Sequence, residues 1–184
     1  MNHAGRALVD PFQIFDKIGL TTGMRVADMG CGRTGHFVFP ASRIVGATGV
    51  VYAVDILKEV LESINSWVRS EALENVHTVW SDIETVNKTP IPEKSLDACF
   101  FMNVLHGLKN KDTALTEASR LLKDEGVVAV IEWQKRLGAL GPEDAGMLAS
   151  DQLKAVASGV GLRQIESFPI SDYHYCSIFK KQIL

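Results

Sequence analysis

The stretch Val26-Ala-Asp28-Met-Gly30-Cys-Gly32-Arg-Thr-Gly35 decides the fold of this chain. A short apolar run at residues 24–28 leads into three closely spaced glycines, and bulky apolar residues follow at residues 36–45. This order predicts a strand, a glycine turn and a helix. Glycines in such a turn let backbone N–H groups approach a ligand, and the helix N-terminus favours negative charge. A tight strand-to-helix turn without a ligand is the alternative.

Strands and helices alternate on both sides of this turn. A short leading helix is predicted to begin at Asp10-Pro11 and to end at Gly19. The other predicted helices include residues 57–68, 113–123 and 150–160, and the predicted strands are 24–28, 49–55, 76–80, 96–102, 127–131, 162–168 and 173–179. Such alternation predicts an α/β fold, a doubly wound and mostly parallel sheet with helices on both faces, closed by a C-terminal antiparallel hairpin.

Length and composition indicate one ordinary folded domain. The chain has 184 residues, of which 46% are hydrophobic and 22% charged, and its formal net charge is −3. These values are typical of globular domains and give no bulk attraction to nucleic acid or to an anionic bilayer. We therefore predict no nucleic-acid partner and no membrane partner.

The cysteines and the start of the chain indicate a reducing compartment. Cys31, Cys99 and Cys176 are far apart and odd in number, so they predict neither a disulfide framework nor a metal site. No apolar run reaches the length of a membrane span, and residues 1–19 lack the pattern of a signal peptide. We expect a cytoplasmic protein without a metal.

Two acidic residues indicate what the glycine turn binds. Asp55 ends the second predicted strand, where its carboxylate can accept both hydrogen bonds of a ribose diol or cap the next helix. Asp28 precedes Gly30 by two residues, where its charge would repel a pyrophosphate and attract a sulfonium cofactor that carries an ammonium group. Asp28 therefore favours a cationic cofactor over a dinucleotide, unless it binds only amides of its own loop.

With these positions in register, the chain resembles the class I S-adenosylmethionine-dependent methyltransferases of the small-molecule, quinone-biosynthesis-like type. The resemblance covers nearly everything after residue 20 and implies the family's Rossmann-like, seven-stranded sheet. Residues 121–128 resemble its turn into strand five. The domain 1–184 would then comprise an N-terminal helical segment (1–20), a cofactor-binding part (21–134), and a lid-like loop, helix and hairpin (135–184).

The resemblance also implies the residues that hold S-adenosylmethionine. They are Asp28, Gly30, Cys31, Gly32, Gly35, Asp55, Ile56, Ser81, Asp82, Ile83 and Asn103. Asp82 would accept a hydrogen bond from the adenine amino group while a neighbouring apolar side chain packs on the ring, although alone it could be a solvated loop acid. Many family members have their third glycine two residues after the second, whereas here it is Gly35.

Three residues are candidates for the methyl acceptor's side of the site. His106, just past the fourth strand, is the candidate base that takes a proton from the acceptor, and a structural histidine is the alternative. Trp133 and His174 are candidates for lining the acceptor pocket, with core packing as the alternative for Trp133.

The predicted function is methyl transfer from S-adenosylmethionine to a small-molecule acceptor by in-line displacement, with S-adenosylhomocysteine as product. The alternatives are an NAD-dependent oxidoreductase and an S-adenosylmethionine-binding module that transfers nothing. The chain carries no evident substrate domain, so a homo-oligomer in which a partner subunit completes the pocket is compatible with the sequence.

Overall fold

Seven strands form one sheet in the computed structural model, which describes residues 9–182. The strands are β1 (Arg25–Met29), β2 (Val50–Asp55), β3 (Val76–Trp80), β4 (Leu96–Met102), β5 (Leu122–Trp133), β6 (Leu162–Pro169) and β7 (His174–Lys181). Their order is β3-β2-β1-β4-β5-β7-β6, with β1 to β5 parallel and β7 antiparallel to both of its neighbours. The predicted doubly wound α/β sheet with a C-terminal antiparallel hairpin is confirmed.

Helices cover both faces of this sheet. They are α1 (Pro11–Ile18), α2 (Val38–Val45), α3 (Lys58–Ser70), α4 (Lys111–Leu121) and α5 (Ser150–Gly159), and short 3-10 turns span Leu105–Gly107 and Asp144–Gly146. Apolar residues of α1, α2 and α3 pack on one face, and those of α4 and α5 pack on the other. Because side chains alternate along a strand, the central strands supply both cores: Phe100 belongs to the first and its neighbour Phe101 to the second.

Local chemistry accounts for the leading helix. The Asp10 side chain accepts a hydrogen bond from the Phe12 amide at 3.0 Å, and Pro11 occupies the first turn of α1. Gly19 ends the helix in the left-handed conformation, with a φ of 67°. Residues 1–8 of the predicted N-terminal segment lie outside the described residues.

Several predicted boundaries were wrong. The helix predicted over residues 113–123 is α4, Lys111–Leu121, and the last two residues predicted for it belong to β5. Helix α2 begins at Val38 and not at residue 36, because Gly35 is left-handed, with a φ of 55°, and the glycine turn continues past it. Strand β5 begins at Leu122, directly after α4, and the turn expected within residues 121–128 is absent from this described stretch. Leu122 already pairs with Leu96 of β4, and a register shift between Leu96 and Ala98 adjusts the ladder.

The segment between β5 and α5, residues 134–149, is fixed at one end to the residue before β7 and at the other end to β7 itself. The Gln134 amide donates to the Tyr173 carbonyl at 2.9 Å, and the Tyr175 hydroxyl donates to the Leu148 carbonyl at 2.6 Å. Between these points Gly141 lies against the Trp133 indole, and a Cβ at Gly141 would come within 3.0 Å of that ring. That this segment acts as a lid stays a prediction.

Within residues 9–182, no helix combines the length and the apolar character that a membrane crossing requires.

Candidate functional site

The residues singled out in the sequence meet at one edge of the sheet. The carboxyl ends of parallel strands share that edge, and β7 begins there because it runs antiparallel. The residues concerned are Asp28 on β1, Asp55 at the end of β2, Ser81, Asp82 and Ile83 after β3, Asn103 and His106 after β4, Trp133 at the end of β5, and His174 at the start of β7.

The glycine turn after β1 needs two of its glycines for different reasons. Gly30 has a φ of 85°, and a Cβ there would lie 2.6 Å from a methyl carbon of Val104, so a side chain is excluded. Gly32 has a φ of 62°, and no atom lies within 4 Å of the position its Cβ would take. Backbone N–H groups of Gly30 and Cys31 both donate to the Val54 carbonyl, which ties the turn to β2. The space above Gly32 is therefore open for a ligand.

Asp28 is buried beneath this turn with an unpaired oxygen. Its side chain is 3% exposed, and its Oδ1 atom accepts no hydrogen bond from residues 9–182. Burial, together with the nearby charge of Asp55, raises the pKa of the Asp28 carboxyl to about 7. A buried acceptor without a donor costs free energy, so it indicates a donor from outside the chain. An ammonium group fits that requirement, and a phosphate does not.

Asp55 organises the neighbouring strand end. Its Oδ2 accepts from the Gly32 amide at 3.2 Å and its Oδ1 accepts from the Leu57 amide at 3.0 Å. Asp55 binds the amide of Leu57, the residue before α3, and α3 receives no side-chain cap hydrogen bond from the described residues, so the alternative role as a helix cap is not observed. Each carboxylate oxygen has a second lone pair that can accept from a ribose hydroxyl. Ile56 beside it is 52% exposed and offers an apolar surface at the same edge. The Trp80 indole donates to the Ile56 carbonyl at 2.8 Å, a support that the sequence analysis missed.

The turn after β3 is tightly hydrogen-bonded. Asp82 accepts from the Glu84 amide at 2.9 Å through Oδ1 and from the Thr85 hydroxyl at 3.1 Å through Oδ2. Ser81 is buried, and its hydroxyl lies 3.0 Å from the Thr89 hydroxyl. Most of the Ile83 side chain packs into the second core, which leaves little of it open to a ligand.

Asn103, His174 and Trp133 contact one another in sequence, with Asn103 half-buried and both rings buried. Asn103 is left-handed, with a φ of 55°, and its Nδ2 lies 3.1 Å from His174 Nε2, while its Oδ1 is buried without a partner among residues 9–182. Burial lowers the pKa of His174 to about 4, against an opposing effect of the Glu132 charge, so the ring is neutral at pH 7. The rings of His174 and Trp133 pack with centroids 4.1 Å apart. Trp133 also borders an open cavity of about 460 Å³ whose walls include Met147 and Phe168.

His106 is held by a buried carboxylate. Glu132, which is 0% exposed, accepts from the His106 backbone amide at 3.0 Å through Oε1, and its Oε2 lies 2.8 Å from His106 Nδ1. A carboxylate at Nδ1 selects the tautomer that carries its proton there, so Nε2 is left as the proton acceptor. The sequence analysis gave Glu132 no role. An acidic residue inside an otherwise apolar strand run is the signal that could have identified it.

The remaining candidates carry no reactive chemistry in this geometry. Cys31 is buried in the glycine turn, and burial raises the pKa of its thiol far above neutrality, with the charges of Asp28 and Asp55 adding to the shift. No group of three or more His, Cys, Asp or Glu residues in the described part of the chain is arranged to hold a metal ion.

Comparison with known proteins gives consistent results. The family model described as a methyltransferase domain matches residues 20–160. A ubiquinone/menaquinone biosynthesis C-methyltransferase from Shewanella pealeana is 32% identical over 121 residues, which are 65% of this chain and 47% of that protein. A demethylmenaquinone methyltransferase from Staphylococcus aureus is 30% identical over 123 residues, again 65% of this chain and 47% of that protein. The chain spans about half the length of these curated relatives.

A solved structure extends the similarity over the whole described fold. The SAM dependent methyltransferase from Aquifex aeolicus superposes with a TM-score of 0.87 at 25% identity, covering 97% of this chain and 93% of that one. The sheet order, the glycine turn, the acid beneath it and these similarities lead to one assignment. The chain belongs to the methyltransferase-domain family and is of the class I, S-adenosylmethionine-dependent type.

Proposed function

We propose that this protein transfers a methyl group from S-adenosylmethionine to a small-molecule acceptor. The observation that carries the proposal is the unpaired, buried oxygen of Asp28 beneath an open glycine turn. In this site Asp28 binds the ammonium group, Asp55 the ribose hydroxyls, and Asp82 the adenine amino group. The remaining residues of the cofactor set form the turn and its borders: Gly30, Cys31, Gly32, Gly35, Ile56, Ser81, Ile83 and Asn103.

Methyl transfer from a sulfonium requires the protein to align the acceptor with the methyl group and to exclude water from the site. The sulfonium of S-adenosylmethionine supplies the activated methyl group, so the chain has to orient the acceptor and exclude water. His106 takes a proton from the acceptor through Nε2, and Glu132 keeps the ring in the tautomer that can do so. The cavity that Trp133 borders has a volume of about 460 Å³, which is the size of a small-molecule pocket. His174, which is neutral and buried, borders the acceptor through its contact with Trp133.

Calorimetry with three ligands tests the cofactor class. S-adenosylmethionine and S-adenosylhomocysteine should both bind, and NAD should not, because its pyrophosphate would approach Asp28. Asp28→Asn keeps the shape of the side chain, removes its charge, and should weaken both nucleoside ligands. Tighter binding of NAD than of S-adenosylhomocysteine would contradict the proposal and favour an oxidoreductase.

Turnover distinguishes an enzyme from a binding module. Incubation with S-adenosylmethionine and a panel of small acceptors of different functional groups should release S-adenosylhomocysteine. A protein that binds both nucleosides and releases no product with any acceptor is a binding module.

We also propose a cytoplasmic location, on the charge and cysteine content of the chain. Size-exclusion chromatography with light scattering decides whether a homo-oligomer forms.

A further inference from the structure

A further buried carboxylate lies outside the site, on α4. Glu117 is 0% exposed, and its two oxygens accept from the backbone amides of Asn87 at 2.8 Å and of Thr89 at 2.9 Å. Arg120 donates to both of these oxygens at 2.8 Å and also to the Thr89 carbonyl at 3.1 Å. The carboxylate therefore joins α4 to the loop between β3 and β4, residues 81–95, which we name the β3–β4 loop.

The pair joins a fully buried carboxylate to a half-buried guanidinium, whose side chain is 16% exposed. Burial alone would raise the pKa of the Glu117 carboxyl, but the hydrogen bonds from Arg120 and from the Asn87 and Thr89 amides outweigh burial and lower this pKa to about 2, so the carboxylate is ionised at neutral pH. Glu117 uses its oxygens on two loop amides, and Asn87 is held in the left-handed region with a φ of 65°. A charged clamp on the backbone of an irregular loop fixes one conformation where apolar packing would permit several.

The clamp continues to the strand end next to the site. Thr89, whose amide binds Glu117, places its hydroxyl 3.0 Å from the Ser81 hydroxyl, and both side chains are buried. The Ser81 amide in turn donates to the Asp55 carbonyl at 3.1 Å. A continuous polar path thus runs from Glu117 through Thr89 and Ser81 to the turn that carries Asp82.

We infer that Glu117 is a positioning residue for adenine recognition, acting through Thr89 and Ser81 to hold Asp82 where it accepts from the adenine amino group. This inference rests on the proposed function, which supplies the ligand. Asp82 already takes one hydrogen bond on each oxygen from its own turn. The conformation of this turn fixes the direction of the remaining lone pairs of Asp82. Displacement of the turn would therefore move the Asp82 oxygens away from the adenine amino group.

The test measures base selectivity, which a merely structural role would not change. The affinity of S-adenosylhomocysteine is compared by calorimetry with that of S-inosylhomocysteine, which has a carbonyl in place of the amino group. Wild-type protein should prefer the adenine compound because Asp82 accepts from the amino group and repels the carbonyl. Glu117→Gln presents a single acceptor oxygen to two backbone amides and should reduce this preference about tenfold, mainly through weaker binding of S-adenosylhomocysteine.

Two further variants keep the inference falsifiable. Thr89→Val retains the backbone amide that binds Glu117 and removes the hydroxyl that contacts Ser81, so it should reduce the preference in the same direction even where Glu117→Gln folds poorly. Leu153→Ala truncates a fully buried side chain on α5 and serves as the control for general destabilisation. It should leave the preference for the adenine compound intact. An unchanged preference in Thr89→Val, or an equal loss in Leu153→Ala, overturns the inference.

The outcomes for the wild type separate this inference from the proposed function. If wild-type protein binds no S-adenosylhomocysteine, the proposed function fails. If it binds both compounds equally, Asp82 does not recognise adenine, and the role of Glu117 is refuted while the cofactor assignment stands.

Discussion

Replacement of Asp28 by asparagine should make the free protein more stable and its cofactor binding weaker. Burial and the charge of Asp55 raise the pKa of Asp28 from 3.8 to about 7, so the ionised form is disfavoured in the folded state. One pKa unit corresponds to about 1.4 kcal/mol, so ionising Asp28 above pH 7 costs at most about 4 kcal/mol of folding free energy. Because the raised pKa belongs to an acid, this cost is absent below pH 4 and grows as the pH rises to 7.

Asp28→Asn removes that cost, so its melting temperature should exceed that of the wild type at pH 8 and approach it at pH 4. The ammonium group of the ligand needs the ionised carboxylate. Below pH 7, wild-type affinity for S-adenosylhomocysteine should therefore fall by up to about tenfold per pH unit. Binding at pH 7 should also release protons, which calorimetry detects by comparing buffers of different ionisation enthalpy.

Two controls accompany this experiment. Asp28→Asn should bind weakly with no pH dependence between pH 6 and pH 8, and 5′-methylthioadenosine, which lacks the amino-acid end, should bind the wild type without that dependence. Wild-type affinity for S-adenosylhomocysteine that stays constant from pH 6 to pH 8 would refute the role of Asp28 as a counter-charge. An Asp28→Asn variant less stable than the wild type at pH 8 would contradict the folding cost assigned to the ionised Asp28.

Further predictions concern the other residues of the site. His106→Gln should lower turnover with little change in cofactor affinity. A normal rate of S-adenosylhomocysteine release would show that His106 has only a structural role. Glu132→Gln should lower turnover, because an amide oxygen holds the Nδ1 proton of His106 less strongly than a carboxylate does, whereas unchanged turnover would show that the contact with Nδ1 is not needed. Asp55→Ala should weaken S-adenosylhomocysteine binding by about 1–3 kcal/mol in calorimetry, and unchanged affinity would exclude it from the site. Gly30→Ala should lower the free energy of unfolding in urea by about 2 kcal/mol or more through its contact with Val104, and by more than Gly32→Ala, which meets open space.

The parts of the fold that could be predicted from sequence are those set by local patterns. The glycines after β1 and the alternating apolar runs identify the strands and their parallel arrangement, because hydrophobic periodicity and turn chemistry act over a few residues. The start of β5 could not be predicted in this way. Leu122 pairs with Leu96, and that contact with a distant strand extends β5 beyond the point that Gly126 suggested.

The same distinction holds for the site. Asp28 could be singled out because its place beside the glycines is itself a local pattern, whereas its unpaired oxygen became evident only in the fold. The contact between His106 and Glu132 joins the turn after β4 to the end of β5, and no spacing along the chain indicates it. The neutral state of His174 likewise depends on burial by the strands and loops around it.

The attachment of residues 134–149 to β7 has a practical consequence for redesign. Tyr173 and Tyr175 hold the two ends of this segment at neighbouring positions, so both attachment points lie outside the part whose length would change. Extra residues inserted between Gly138 and Gly141 would add about 0.6 kcal/mol of closure entropy for each doubling of the loop. That region is therefore a suitable place to graft new walls onto the adjoining cavity and so alter which compounds enter it.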